Sequence, residues 1–304
     1  MNKQKNILAV GSIAIDTLET PMGNCTDVLG GSASYFSVAA SMLAPVKLVG
    51  VVGNDYPEKG WKMFKSRNIN VDNVQIAQGK TFRWGGKYND DYSSRDTLFT
   101  ELGVFESFSP NIKQKDCNSP LVFIGNIQPD LQLVVANMVC DPEHVVSDTM
   151  NLWIDLFPEK LADVIKKSSV FLINHEEAKQ FTGRADIVSA AQILINMGPQ
   201  VVVIKMGAGG SYVSHNNRGV FVPVFPVVRV LDPTGAGDSF AGGFMGYLSK
   251  TQNPNFIEAV IMGSAMASFC VEGFGLEALL EATTVSLYDR IKTIKGSMSE
   301  EVEI

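Results

Sequence analysis

Histidine and cysteine are scarce in this 304-residue chain, and the few present are badly spaced for metal or disulfide chemistry. The three histidines, His144, His175 and His215, lie too far apart for one helix to present two of them to a metal, as an H-E-x-x-H site requires. The four cysteines, Cys25, Cys117, Cys140 and Cys270, form no C-x-x-C pair. A histidine-based metal hydrolase and a Ser/His triad lose their support. The cysteines read as small buried hydrophobes of a reducing, cytoplasmic setting. Basic charge is short as well: 25 lysines and arginines against 32 acids leave a net charge of −7, with no long run of one sign. That argues against nucleic acid as a partner, because no broad basic face can be assembled.

Long hydrophobic runs are also missing. The longest uncharged stretch, Val28 to Val46, is broken by four serines, two glycines and a proline, so no membrane span is expected. Lys3 and Lys5 ahead of Ile7–Ile15 imitate a leader, but Asp16 closes the apolar segment and a buried first strand is preferred. With 45% hydrophobic residues, a chain of this length buries about three quarters of its unfolded surface, which excludes disorder as the main state. No repeat, low-complexity linker or Pro/Gly-rich boundary divides it, so residues 1–304 are read as one domain.

Apolar, β-branched runs recur at Ile7–Val10, Lys47–Val52, Leu121–Gly125, Val145–Ser147, Val170–Ile173 and Val201–Lys205. Helical spacing fills the intervals at Ser32–Leu43, Pro57–Ser66, Leu131–Val139, Pro158–Lys166, Glu176–Thr182 and Ile187–Met197. The alternation predicts an α/β fold with a mostly parallel sheet covered on both faces. After Asp232 the pattern turns to helices, Ala236–Leu248 and Phe256–Cys270, and then to a polar C-terminal segment. Thr81–Phe105 departs from this pattern: it is rich in aromatics, with turn material at Gly85-Gly86 and Asn89-Asp90, and reads as an antiparallel hairpin. With Ile13–Leu29 it is expected to form a small β-sheet lid over the end of the main sheet.

The strongest chemical signal is Asp232-Pro-Thr-Gly-Ala-Gly-Asp-Ser-Phe-Ala-Gly-Gly-Phe244, expected to follow an apolar strand over Val220–Val230 and to open a helix. Gly235 and Gly237 let backbone N–H groups turn inward at a helix N-terminus, where free donors and the dipole favour an anion. Asp238 can face that nest and accept a proton from a substrate hydroxyl; the plain alternative is a capping carboxylate. Gly242 and Gly243, costly inside a helix, point to close approach of a backbone or a ligand.

On these residues the chain resembles the ribokinase-like, or PfkB-type, family of carbohydrate and nucleoside kinases over nearly its whole length. The resemblance implies a three-layer α/β/α fold with a small β-sheet lid. It implies Asp238 as catalytic base, with Gly235, Ala236 and Gly237 as the anion hole. Gly30-Gly31 matches the family's N-terminal glycine pair, and Asp16 falls where relatives bind substrate hydroxyls. Many relatives have an Asn five residues after the first glycine; here that position is Tyr35. Asn174 and Glu177 match an N-x-x-E element that places Mg²⁺ through water, and are otherwise a helix-start pair. Lys205, Gly207, Gly209 and Gly210, with Thr234, match the nucleotide site. Asp232 and Thr234, completed by a loop at Val271–Gly275, match a K⁺ site found in some relatives.

The function implied is transfer of the γ-phosphoryl group of ATP to a hydroxyl of a carbohydrate. A nucleoside acceptor is the alternative, since Trp84, Tyr88, Phe99, Phe105 and Tyr35 could stack on a base; otherwise they form the apolar side of the lid or a lid-to-lid homodimer contact. Arg95 could approach a substrate phosphate or pair with a neighbouring acid. Asp148, Asn151 and Asn126 earn attention from position alone, after strands at the carboxyl edge of the sheet. A nicotinamide oxidoreductase is excluded, because Val10-Gly11-Ser-Ile-Ala lacks G-x-G-x-x-G. A nucleotide sensor without turnover stays open as the remote reading.

Overall fold

The computed structural model describes residues 4–92, 94–216 and 218–300, with the side chains of 299 and 300 left aside. Lys3, which entered the leader comparison, lies outside them. The apolar runs form β1 (Ile7–Val10), β4 (Val46–Gly53), β8 (Leu121–Ile124), β9 (His144–Ser147), β10 (Val170–Asn174) and β11 (Val201–Lys205), all parallel. The sheet order is β13-β12-β11-β10-β9-β8-β1-β4-β5. β5 (Asn70–Ala77) joins one edge in parallel, while β12 (Ser211–His215) and β13 (Arg218–Val222) close the other edge antiparallel.

Alternate residues of these strands enter different cores, which is why the runs are continuous rather than alternating. Ile7, Ala9, Leu121, Phe123, Leu172 and Val203 face one core, shared with α1 (Ser32–Ser41), α2 (Glu58–Ser66), α8 (Ala236–Leu248), α9 (Phe256–Cys270) and α11 (Thr284–Glu300). Phe171, Ile173, Val202 and Ile204 face the opposite side with α4 (Asn151–Leu156), α5 (Pro158–Lys167), α6 (His175–Thr182) and α7 (Ile187–Ile195). Leu8, Val10, Val122 and Ile124 continue that second core under α3 (Pro129–Met138). The result is the three-layer arrangement expected. A short α10 (Glu277–Glu281) precedes α11, so the polar segment is largely helical as far as Glu300.

One expectation changes and another is narrowed. The strand expected over Val220–Val230 ends at Val222, because Pro223 and Pro226 cannot donate to a ladder and the chain runs on irregularly to the signature. Gly242 and Gly243 serve helix packing: a Cβ on Gly242 would lie 2.7 Å from the Phe36 carbonyl of α1, and one on Gly243 2.7 Å from the Met262 carbonyl of α9. Backbone, not ligand, is what approaches them.

The second sheet has the order β3-β2-β6-β7, formed by β2 (Ala14–Thr20), β3 (Gly23–Gly30), β6 (Phe82–Tyr88) and β7 (Arg95–Glu101). β6 and β7 make the expected hairpin, and β2 pairs with β6 in parallel, joining the two segments. The return to the main sheet is clasped: the Asp55 carboxylate accepts from both the backbone N–H and the hydroxyl of Thr81, each at 2.7 Å. Among the described residues no helix is long and apolar enough to cross a membrane.

Candidate active site

The N-terminus of α8 meets the carboxyl ends of β9, β10 and β11 on one side and the small sheet on the other. Gly235 caps α8 in the left-handed region, with φ of 75°. Glycine is required there twice, since a Cβ would also overlap the ring of Tyr35. Ala236 N–H donates to the Pro233 carbonyl at 3.2 Å, whereas the Gly235 and Gly237 N–H groups have no acceptor among the described residues. Two amides at a helix start are thus left without a protein acceptor, the kind of donor pair that suits an anion.

Asp238 stands in the first turn of α8, half-buried. Burial and the nearby Asp148 charge raise its pKa to about 7, with Lys205 and Arg95 pulling back. The Lys205 amine, at the end of β11, pairs with Asp148 at 2.6 Å just after β9. Glu177 belongs to the same cluster. Burial and Asp148 push its pKa up to about 7, against Lys205 and the Asn174 N–H.

Asn174 and Glu177 form a capping box on α6: Asn174 Oδ1 accepts from the Glu177 N–H at 2.8 Å, and Glu177 Oε2 accepts from the Asn174 N–H at 3.0 Å. The helix-start reading therefore holds as local geometry, and Glu177 Oε1 is left over from the box. Among the described residues no three His, Cys, Asp or Glu gather closely enough to ligate a metal directly.

On β2, within electrostatic reach of Asp238, Asp16 is 3% exposed. Burial and the Asp232 charge raise its pKa to about 8 against a hydrogen bond from the Gly31 N–H, and Asp238 adds to the rise. A Cβ on Gly30 would overlap the Asp16 carboxylate, and Gly31 precedes α1 with φ of 91°, so the glycine pair shapes the Asp16 pocket. Trp84 pairs with Asp16 in the β2–β6 register, which puts both side chains on one face of the small sheet. The Arg95 guanidinium covers the Trp84 ring, 5.3 Å from its centroid.

The small sheet also touches the signature. Tyr88 Oη lies 2.9 Å from Thr234 Oγ1, and Tyr92 Oη donates to the Val230 carbonyl at 3.1 Å. Tyr35 is 1% exposed, with its hydroxyl unpartnered beneath Gly235. Phe105 stacks on Phe82 and Phe108, and Phe99 packs against Gly85, so those two rings serve the small sheet itself. Gly207, Gly209 and Gly210 form a tight turn after Lys205; Gly207 and Gly209 are exposed, and Gly210 is buried with φ of 89°.

Asp232 is fully buried: its Oδ1 accepts from the Thr234 N–H at 2.9 Å and its Oδ2 from the Gly275 N–H at 3.1 Å. Asn126 bonds to the indole of Trp153 at 2.7 Å, and the Asn151 carbonyl accepts from Gln180. Sequence position had singled out Asp148, but nothing in the sequence paired it with Lys205, and the Tyr88 contact to Thr234 had no sequence signal.

The proteins this chain resembles in sequence are kinases, phosphotransferases that act on hydroxyl groups. Residues 4–283 match the model of the pfkB family carbohydrate kinases, and the chain belongs to that family. It is 30% identical over 252 residues to the cytidine kinase of Thermococcus kodakarensis, covering 81% of this chain and 89% of that protein. It is 26% identical over 306 residues to the ribokinase of Haemophilus influenzae, covering 90% of this chain and 95% of that one. The solved nucleoside kinase of Methanocaldococcus jannaschii shares its fold, with a TM-score of 0.78 at 21% identity over 96% of this chain and 100% of that one.

Proposed function

We propose that the chain transfers the γ-phosphoryl group of ATP to a sugar hydroxyl, with Asp238 as base. The carrying observation is the pairing of two free amides, at Gly235 and Gly237, with a carboxylate of pKa about 7 in the same helical turn. Asp238 takes the hydroxyl proton as the oxygen attacks phosphorus, and the amides meet the charge of the transferring group. Asp16, on the opposing sheet, binds acceptor hydroxyls within the pocket shaped by Gly30 and Gly31. Tyr35 backs the nest from beneath Gly235. The Lys205–Gly210 turn lines the nucleotide, with Thr234 beside it.

Mg²⁺ fits this site only through its water shell. Asn174 and Glu177 are engaged in their capping box, and Glu177 Oε1 is the atom left to hold a metal-bound water. When bound, Mg²⁺ would offset the negative charge of the phosphates. K⁺ would lie beside Asp232 and Thr234, supported by a fully buried Asp232 that has no ion-pair partner among the described residues.

A nucleoside acceptor has its own support: Trp84 lies beside Asp16, where a ring attached to the bound sugar could stack, and the cytidine kinase is a relative. The deciding experiment measures ADP release with Mg-ATP against pentoses, hexoses and nucleosides, with and without K⁺. Turnover is expected to depend on an acceptor and to fall at least about a hundredfold in Asp238→Asn. Undiminished turnover in that variant would remove Asp238 as base. ATP binding without any acceptor-dependent turnover would favour the sensor reading.

A further inference from the structure

The Lys205–Asp148 pair is in an unusual place for a structural salt bridge. Its side chains are only 15% and 6% exposed, and the amine lies against the start of α8: a Cβ on Gly237 would be 3.1 Å from Lys205 Nζ. The N-terminal end of a helix carries positive partial charge, so a cation beside it is unfavourable unless an anion is there as well. Asp148 supplies one anion. It is the only hydrogen-bond acceptor of the amine among the described residues, which leaves two N–H donors of the ammonium beside the free Gly237 amide. Burial alone would lower the pKa of Lys205, but Asp148 and Glu177 outweigh it and hold the value above normal, so the charge persists.

We propose that Lys205 is a further catalytic residue, whose ammonium contacts the γ-phosphoryl oxygens at the Gly235–Gly237 nest, and that Asp148 is the positioning residue that aims it. The proposal rests on the kinase reading and assigns Lys205 to the transferring group rather than to the general lining of the nucleotide. In the step, the acceptor oxygen bonds to the γ-phosphorus while the bond from that phosphorus to the β–γ bridging oxygen breaks. The electron pair leaves with ADP, the hydroxyl proton passes to Asp238, and Lys205 keeps its protons throughout.

The test compares binding of ADP with that of the β,γ-methylene analogue of ATP, both with magnesium, by calorimetry on wild type, Lys205→Met and Lys205→Arg. Lys205→Met is expected to keep ADP affinity within about threefold, to lose about tenfold in analogue affinity relative to ADP, and to lose at least about a hundredfold in kcat. Lys205→Arg, which keeps the charge, is expected to recover most of the analogue preference. Asp148→Asn should lower kcat about tenfold or more with little change in KM for ATP, a split that a merely structural pair would not give.

Unchanged analogue preference and turnover in Lys205→Met would overturn the proposal. Should that variant lose its cooperative melt, unchanged kcat in Asp148→Asn would overturn it instead. A wild type that binds neither nucleotide removes the kinase reading and this proposal with it. A wild type that turns over while Lys205→Met does so equally well removes only the role of Lys205.

Discussion

At the scale of single residues the site is a collection of carboxylates held away from water. As the proposed base, Asp238 must be ionised to accept a proton, and burial with the Asp148 charge raises its pKa to about 7. The sign follows directly: kcat/KM should fall as pH drops below about 7 and level off above it, which a pH–rate profile from 5 to 9 would show. Tyr35 offers a second check. Its hydroxyl is buried without a partner, which costs about 1–3 kcal/mol. Tyr35→Phe should therefore raise the melting temperature of the ligand-free protein; an unchanged or lower value would mean the hydroxyl is satisfied by water. Much of this scale was legible in advance, because a left-handed cap, an amide nest and an acid in one helical turn leave a local sequence pattern. The ion pair of Lys205 with Asp148 was not, since it joins residues 57 positions apart, one ending β11 and the other just after β9. Asn174 and Glu177 show a different limit: the capping geometry is read from their spacing, while the burial of Glu177 depends on the strands around it.

At the scale of elements, continuous apolar runs marked the central strands because both faces of the sheet are covered. The edges were less legible. β5 is half polar and lies at a margin, and β12 and β13 form an antiparallel finish that the βα alternation does not announce. The glycines of α8 signalled a close approach, but sequence alone cannot separate the approach of a ligand from that of another helix, and the structure shows the helix. The packing makes a quantitative expectation possible. Gly242→Ala gains about 1 kcal/mol in helix propensity, but its Cβ would meet the Phe36 carbonyl and the Ala39 methyl, both at 2.7 Å. Overpacking typically costs about 1–3 kcal/mol, so a net loss of stability is expected in denaturant titration. A more stable variant would mean that α1 and α8 can move apart freely.

At the scale of the molecule, β7 is the exposed edge of the small sheet, every residue of it open to solvent, with Leu98 44% and Phe99 36% exposed. An edge of that kind is a template for pairing with a second copy. A homodimer through this sheet is therefore expected in size-exclusion chromatography with light scattering, and Phe99→Lys should shift it toward monomer. A wild type that stays monomeric at high concentration would remove that expectation. The two-sheet division itself was foreseen from aromatics and turns, yet the parallel pairing of β2 with β6 needed the three-dimensional register.

That pairing puts Asp16 on the small sheet, while Asp238 belongs to α8, packed on the large one, and the Asp55 clasp on Thr81 marks the place where the chain enters the small sheet. On the proposed role of Asp16, removing the Thr81 hydroxyl, remote from the reacting atoms, is expected to raise KM for the acceptor through the placement of the small sheet.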